Sequence, residues 1–321
     1  MASKPSIGGQ ALIEGVMMRG PTSWAIAVRK TDSEIATETH PLPGHSERHK
    51  WLKWPLVRGV YVLVESLTIG LKALMISANY SLEEKDRLSE KQLGWTMAGA
   101  LVFFTGIFIL LPALATKFGG RLIGVESELV QNIVEGLFRI GLFVGYLLLI
   151  SMLRDIRRVF QYHGAEHKTI YAYENDDPMD PEVVDRYSTL HVRCGTNFLF
   201  IVLALTIVVH FIMDITLPES IPLRVSARIL AIPFLAGIAY EVIRAAGKRG
   251  DSLVFRIASL PGLALQRITT RPPDRNQIEV AIAAMESVIA REKLAEPAKE
   301  AEAAQPSPAV LPQTEAGPAA T

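Results

Sequence analysis

The 321 residues are enough for one or two ordinary domains, and 33 Lys+Arg against 33 Asp+Glu leave no net charge, which removes any electrostatic argument for a nucleic-acid partner. Cys194 is the single cysteine, so an intrachain disulfide is excluded and nothing points to an oxidising compartment. Apolar residues make up 49% of the chain, a fraction that soluble proteins also reach, but here they gather into long blocks, and that distribution indicates a membrane protein.

The first fifteen residues lack the uninterrupted apolar core of a signal peptide, so insertion is expected to rely on internal spans. Residues 1–54 read as a β-rich cytoplasmic segment. Trp24–Lys30 and Ile35–His40 alternate in part, and the polar Thr31-Asp32-Ser33-Glu34 between them suits a hairpin. His40, His45 and His49 fall in a Pro- and Lys-containing stretch and read as solvated surface. Trp51 and Trp54 beside lysines suggest an interfacial anchor.

Residues 55–92 predict an amphipathic or interfacial helix. Arg58, Glu65 and Lys72 lie seven apart and form one polar stripe, so this segment is not counted as a span. Residues 93–246 hold four blocks of about 20 mainly apolar residues, the length a bilayer core requires. They cover roughly 94–115, 133–153, 197–217 and 227–246. The fourth contains Pro233 and ends with Glu241 and Arg244. Glu135 and Arg139, four apart, are expected to pair or to meet headgroups. His210, deep in the third block, is expected to make a hydrogen bond between helices.

Basic residues set the orientation. Lys85, Arg87 and Lys91 precede the first block, Arg154, Arg157 and Arg158 follow the second, and Arg244, Lys248 and Arg249 follow the fourth. This places both termini and the 154–196 loop in the cytoplasm. Residues 247–294 form a C-terminal cytoplasmic segment, in which Leu253–Leu265 with its Pro261-Gly262 reads as an interfacial hairpin or part of a soluble lobe. Asn276–Lys293 has helical periodicity, and residues 295–321, rich in Ala, Pro and Glu, are expected to be disordered. The fold class is thus a mainly α-helical integral membrane protein with about four transmembrane helices, a small N-terminal β-rich region and a disordered tail. Its partner is the lipid bilayer, and homo-oligomers or other membrane proteins are further candidates.

Chemistry concentrates in the 154–196 loop. His163-Gly-Ala-Glu166-His167 places two imidazoles on one helix face, where they can share a metal ion, zinc or another divalent cation. Glu166 beside them can act as general base on water. The bland reading is a polar helix end whose histidines meet headgroups or carbonyls. At the other end of the loop, His191-Val-Arg-Cys194 offers two more soft ligands, or a buried structural cysteine. Glu241, near the same membrane level, is either a carboxylate ligand or the partner of Arg244.

Four stretches also carry a resemblance: Ile7-Gly-Gly-Gln-Ala-Leu-Ile-Glu14-Gly-Val-Met-Met-Arg19-Gly-Pro21, Tyr162–Lys168, His191–Thr196, and Gln266–Thr270 with Asp274–Ile282. Over roughly residues 5–290 the chain resembles the bacterial YqhQ-like membrane proteins (domain of unknown function 1385). It departs from them at Val192, where they often have proline. The resemblance implies a multi-span protein of the bacterial cytoplasmic membrane, sometimes described as a metal-dependent enzyme, without an established reaction. Glu14 and Arg19, in the first stretch, read either as part of a site folding over the metal cluster or as structural turn residues. Two functions follow: a metal-dependent hydrolase with Glu166 as base, or a non-catalytic scaffold, assembly factor or transport-system component.

Overall fold

The computed structural model describes residues 4–42, 49–81, 89–122, 127–192, 194–218, 220–248 and 253–303. His45, Lys85, Arg87, Arg249 and the end of the tail from residue 304 lie outside the described residues.

The N-terminal segment is an antiparallel meander of four strands in chain order: β1 Gly8–Leu12, β2 Gly15–Arg19, β3 Ser23–Arg29 and β4 Ile35–Pro41. The expected hairpin is β3–β4, with Trp24 opposite His40 and Val28 opposite Ala36. The sheet is covered on both faces. Leu12, Met17, Trp24 and Ile26 meet Ile69 and Ala73 of α1 (Val57–Ser81). Val16, Met18, Ala25 and Ala27 turn to the other side, against Tyr162, Ala165, Ile278 and Met285. A strand buried on both sides loses the polar half of its alternation, which is why Trp24–Val28 is almost wholly apolar.

Ten α-helices follow the sheet among the described residues. After α1 come α2 Glu90–Thr105, a π-helical stretch Gly106–Leu110, α3 Leu111–Leu122, α4 Glu128–Ser151, α5 Arg154–Glu174 and the short α6 Pro181–Val184. The chain then forms α7 Gly195–Thr216, α8 Ile221–Lys248, α9 Leu253–Thr269 and α10 Arg275–Ala303. Five stretches are long and apolar enough to cross a membrane: Val57–Ser81, Gly94–Thr116, Val130–Ser151, Gly195–Thr216 and Pro222–Ala245. The four spans expected from the sequence are among these and leave out α1, so the candidates by length and composition are five. The added one, α1, has a polar stripe whose acid and base are answered from elsewhere: Arg58 pairs with Glu241, and Glu65 with Arg19. Its second half buries Ile69, Gly70, Ala73 and Ser77, with Ile69 and Ala73 against the sheet.

Two further expectations change. Leu253–Thr269 is one helix through Pro261, not a hairpin, and it packs along α7. The C-terminal helix α10 runs to Ala303, into the stretch expected to lack structure. Its first turns bury Ile278, Ala281, Ile282, Met285 and Val288 in the core beneath the sheet, which anchors the helix from which the Ala- and Glu-rich part extends.

Candidate metal centre

Helix α5 starts directly after the candidate span α4, across a break at Met152-Leu153, and most of its residues from Tyr162 to Tyr173 are buried. The i, i+4 spacing sets His163 and His167 side by side, with ring centroids 4.4 Å apart. Cys194 closes the cluster from the N-terminus of α7, where its sulfur caps the helix. Thr196 donates to Sγ from its backbone N–H at 3.4 Å and its hydroxyl at 3.3 Å. One ligand atom from each of His163, His167 and Cys194 lies within 4.8 Å of the other two.

The tautomers follow from the partners. His163 Nδ1 is 2.8 Å from the Thr269 carbonyl, and His167 Nδ1 is 2.5 Å from the Thr189 carbonyl. A carbonyl only accepts, so both Nδ1 atoms carry the proton and both Nε2 atoms present a lone pair. His163 Nε2 stands 3.3 Å from Cys194 Sγ. His167 Nε2 is buried with no hydrogen-bond partner among the described residues. Carbonyls that fix the second ring nitrogen are the usual support of metal-bound histidines. A tetrahedral zinc would hold nitrogen and sulfur ligands about 3.3–3.7 Å apart, so closure around an ion asks for at most about an ångström of movement. The donor set, the paired carbonyls and the orphaned nitrogen all fit such an ion.

Glu166 is buried (5% exposed), and its Oε2 lies 3.9 Å from His163 Nε2. Burial pushes its carboxyl above the ordinary range, opposed by His163 and His191 nearby. Burial likewise holds the His167 imidazole below its ordinary value, opposed chiefly by Cys194. Strand β1 packs directly above Glu166: a Cβ added at Gly9 would lie 2.6 Å from Glu166 Cγ and Oε1. Gly164, between the two histidines, is a second close approach. A Cβ there would overlap the carbonyl of Arg271, whose own N–H donates to Phe160 O at 2.9 Å. The glycine in His163-Gly-Ala-Glu-His167 thus admits the end of α9, which carries the Thr269 carbonyl to His163.

Two of the expected ligands stand apart from the cluster. Glu241 accepts from Arg58 Nε at 2.6 Å in a two-pronged ion pair, with Arg58 rather than Arg244 as its hydrogen-bonded partner, and it is not in the group of His163, His167 and Cys194. A guanidinium donating two parallel bonds outcompetes a flexible helix neighbour. His191 turns its Nε2 to Glu174 Oε2 at 3.3 Å, with its ring 5.7 Å from that of His167. Its backbone is clamped by Gln266, which accepts from the His191 N–H at 2.7 Å and donates to the His191 carbonyl at 2.8 Å. Gln266 and Thr269 are hydrogen-bonding supports of the cluster that spacing arguments missed. The signal available was their presence in one of the stretches that carry the resemblance.

Glu14 and Arg19 act as ties. Glu14, at φ 53° in the β1–β2 turn, takes both prongs of the Arg158 guanidinium and the Tyr162 hydroxyl, fastening the sheet to α5. Arg19 reaches Glu65 and, at 2.7 Å, Ser66 on α1.

A second polar cluster lies within the apolar helices. Glu135 and Arg139 pair at 2.5 Å, as the sequence predicts. Arg228 of α8 reaches Glu135 at 2.9 Å and Asp214 of α7 at 2.8 Å, and Arg139 Nε donates to the Phe108 carbonyl in the π-helical stretch at 3.1 Å. His210 is buried in the same half of α7, and its Nδ1 has no hydrogen-bond partner among the described residues, so the bond between helices expected there is not formed at that atom.

In comparisons with known proteins, the chain is 33% identical over 307 residues to the "Uncharacterized protein YqhQ" of Bacillus subtilis (strain 168), covering 91% of this chain and 95% of that one. No solved structure matches. A family model described as "Protein of unknown function (DUF1385)" matches residues 54–291, and with that match and the Bacillus relative the chain belongs to the DUF1385 family.

Proposed function

We propose that the protein is a metal-dependent hydrolase of the bacterial cytoplasmic membrane, holding zinc or a related divalent ion with His163, His167 and Cys194 on the cytoplasmic side. The observation that carries this reading is the convergence of His163, His167 and Cys194, whose ligand atoms lie within 4.8 Å of one another, with His167 Nε2 buried and without a geometric hydrogen bond among the described residues. Leaving such an atom unsatisfied costs about 1–3 kcal/mol, which an ion at the cluster would recover. Three protein ligands leave one coordination position open, the pattern of catalytic rather than structural zinc.

When bound, the ion would polarise a carbonyl or phosphoryl oxygen and acidify water. The remaining work falls to the chain. Thr269 and Thr189 orient the two imidazoles, and Thr196 holds the sulfur. Glu166 takes the proton of the attacking water and returns it to the leaving group. Its burial keeps bulk water away from this transfer, and a cation nearby favours the carboxylate form that a base requires.

Metal analysis of the purified protein tests the reading. About one equivalent of zinc is expected in the wild type and a negligible amount in a His163→Ala/His167→Ala double variant. Equal, negligible metal in both would end it.

A further inference from the structure

We infer that the substrate is an extended polypeptide that docks as an added strand on the free edge of β1, which rests on the hydrolase reading above. The phase of the sheet sets which groups face that edge. Arg29 N–H donates to the Glu14 carbonyl at 2.8 Å, and Gly20 N–H to Ser23 O at 2.8 Å. Glu14, Val16, Met18 and Gly20 therefore face β3, while Gly15, Met17 and Arg19 face β1. Their partners are Leu12, Gln10 and Gly8. Gly9 and Ala11 are left with N–H and C=O pointing away from the sheet, and neither has a hydrogen-bond partner there among the described residues.

The two edges of the sheet are built differently. On β4 the edge carries Glu38 and His40 and ends in Pro41, the charges and proline that keep a strand from pairing. On β1 the sequence is Gly-Gly-Gln-Ala-Leu, without charge or proline, and Gly8 and Gly9 are exposed. An open, unprotected edge of this kind recognises a peptide backbone by main-chain hydrogen bonds, with little demand on side chains. Its position supplies the second argument. Gly9 lies on the Glu166 carboxylate, closer than any side chain would allow, so a strand laid along Gly9 and Ala11 passes beside the base and its neighbour His163. A peptide bond held there can be hydrolysed in balance: the water oxygen bonds the carbonyl carbon, the C–N bond breaks, and the proton taken by Glu166 goes to the leaving nitrogen.

The probe is fluorescein-labelled, reduced and carboxymethylated lactalbumin, added to the full chain in detergent micelles. Hydrogen exchange of the wild type is expected to slow in the peptide covering residues 8–12 when the probe is present. Ala11→Pro removes one outward N–H from an edge position that tolerates proline. Anisotropy should then show binding weakened at least tenfold, with zinc content unchanged and Ala11→Gly still binding. Unchanged exchange over residues 8–12, or wild-type affinity in a folded Ala11→Pro variant, would overturn the inference even where zinc is bound. Edge-dependent binding by a protein that holds no zinc would uphold the docking surface and remove the hydrolase. Should Ala11→Pro fail to fold, the wild-type exchange experiment decides alone.

Discussion

The His163–His167–Cys194 cluster and the Glu135–Arg139–Asp214–Arg228 cluster both bury ionisable side chains, yet they are built on opposite rules. In the second, each acid meets a guanidinium: Glu135 serves two arginines, and Arg228 joins α4, α7 and α8 through Glu135 and Asp214. Charges in an apolar setting persist when paired in this way, and their pairing fixes how the helices associate. In the first, the protein's own groups fix the outer nitrogens, to Thr269 and Thr189, and the sulfur, to Thr196, and leave the inner donor atoms facing one another. One cluster answers its charges from within, although Arg228 Nε and Asp214 Oδ1 have no hydrogen-bond partner among the described residues, and the other leaves three donor atoms converging on one point.

The comparison breaks most sharply at Glu166. Glu166→Gln should keep the zinc and lose about 10²–10⁴-fold of hydrolytic rate, the usual contribution of a general base. Loss of metal without loss of rate would reverse the roles. Arg228→Met should be the most damaging change in the ion network. It leaves Glu135 and Asp214 short of a partner at a cost of about 3–5 kcal/mol, seen as a lower unfolding midpoint in detergent, while the folded fraction still binds zinc. Gln266→Leu should weaken zinc binding about 10- to 100-fold in a competition titration, because the clamp on His191 holds the turn that delivers Cys194. The smallest effect concerns the metal-free protein. Burial raises the Glu166 carboxyl, so the folded state holds a proton that the unfolded state releases above about pH 4.5. Stability from this group is therefore present below pH 4.5 and declines as pH rises towards the elevated value. Glu166→Gln should raise the melting midpoint of metal-free protein by a few degrees, about 2–4 °C per kcal/mol, and more at pH 7 than at pH 4.5.

Much of the fold was readable in the sequence because its signals are local. The apolar blocks, the β3–β4 hairpin and the shared face of His163 and His167 each depend on residues within one or two turns. The partner of Glu241 was not readable. Two adjacent turns of one helix suggested Arg244, whereas Arg58 arrives from 183 positions away. Periodicity carries no record of such pairings. The same limit separated His191 from the candidate cluster, since Glu174 at the end of α5 meets that ring. It also hid Gln266, whose amide acts on a backbone 75 positions off. The polar stripe kept α1 out of the candidate spans because its countercharges, Glu241 and Arg19, come from distant segments.

The hydrogen atom that serves as a side chain at position 164 has reach beyond its own helix. Because the Arg271 carbonyl occupies the space where a methyl would stand, even Gly164→Ala would wedge the end of α9 outward. Thr269 would move with it, and the imidazole of His163 would be free to spin. The aim of a candidate ligand nitrogen is thus set by the side chain that the next residue lacks.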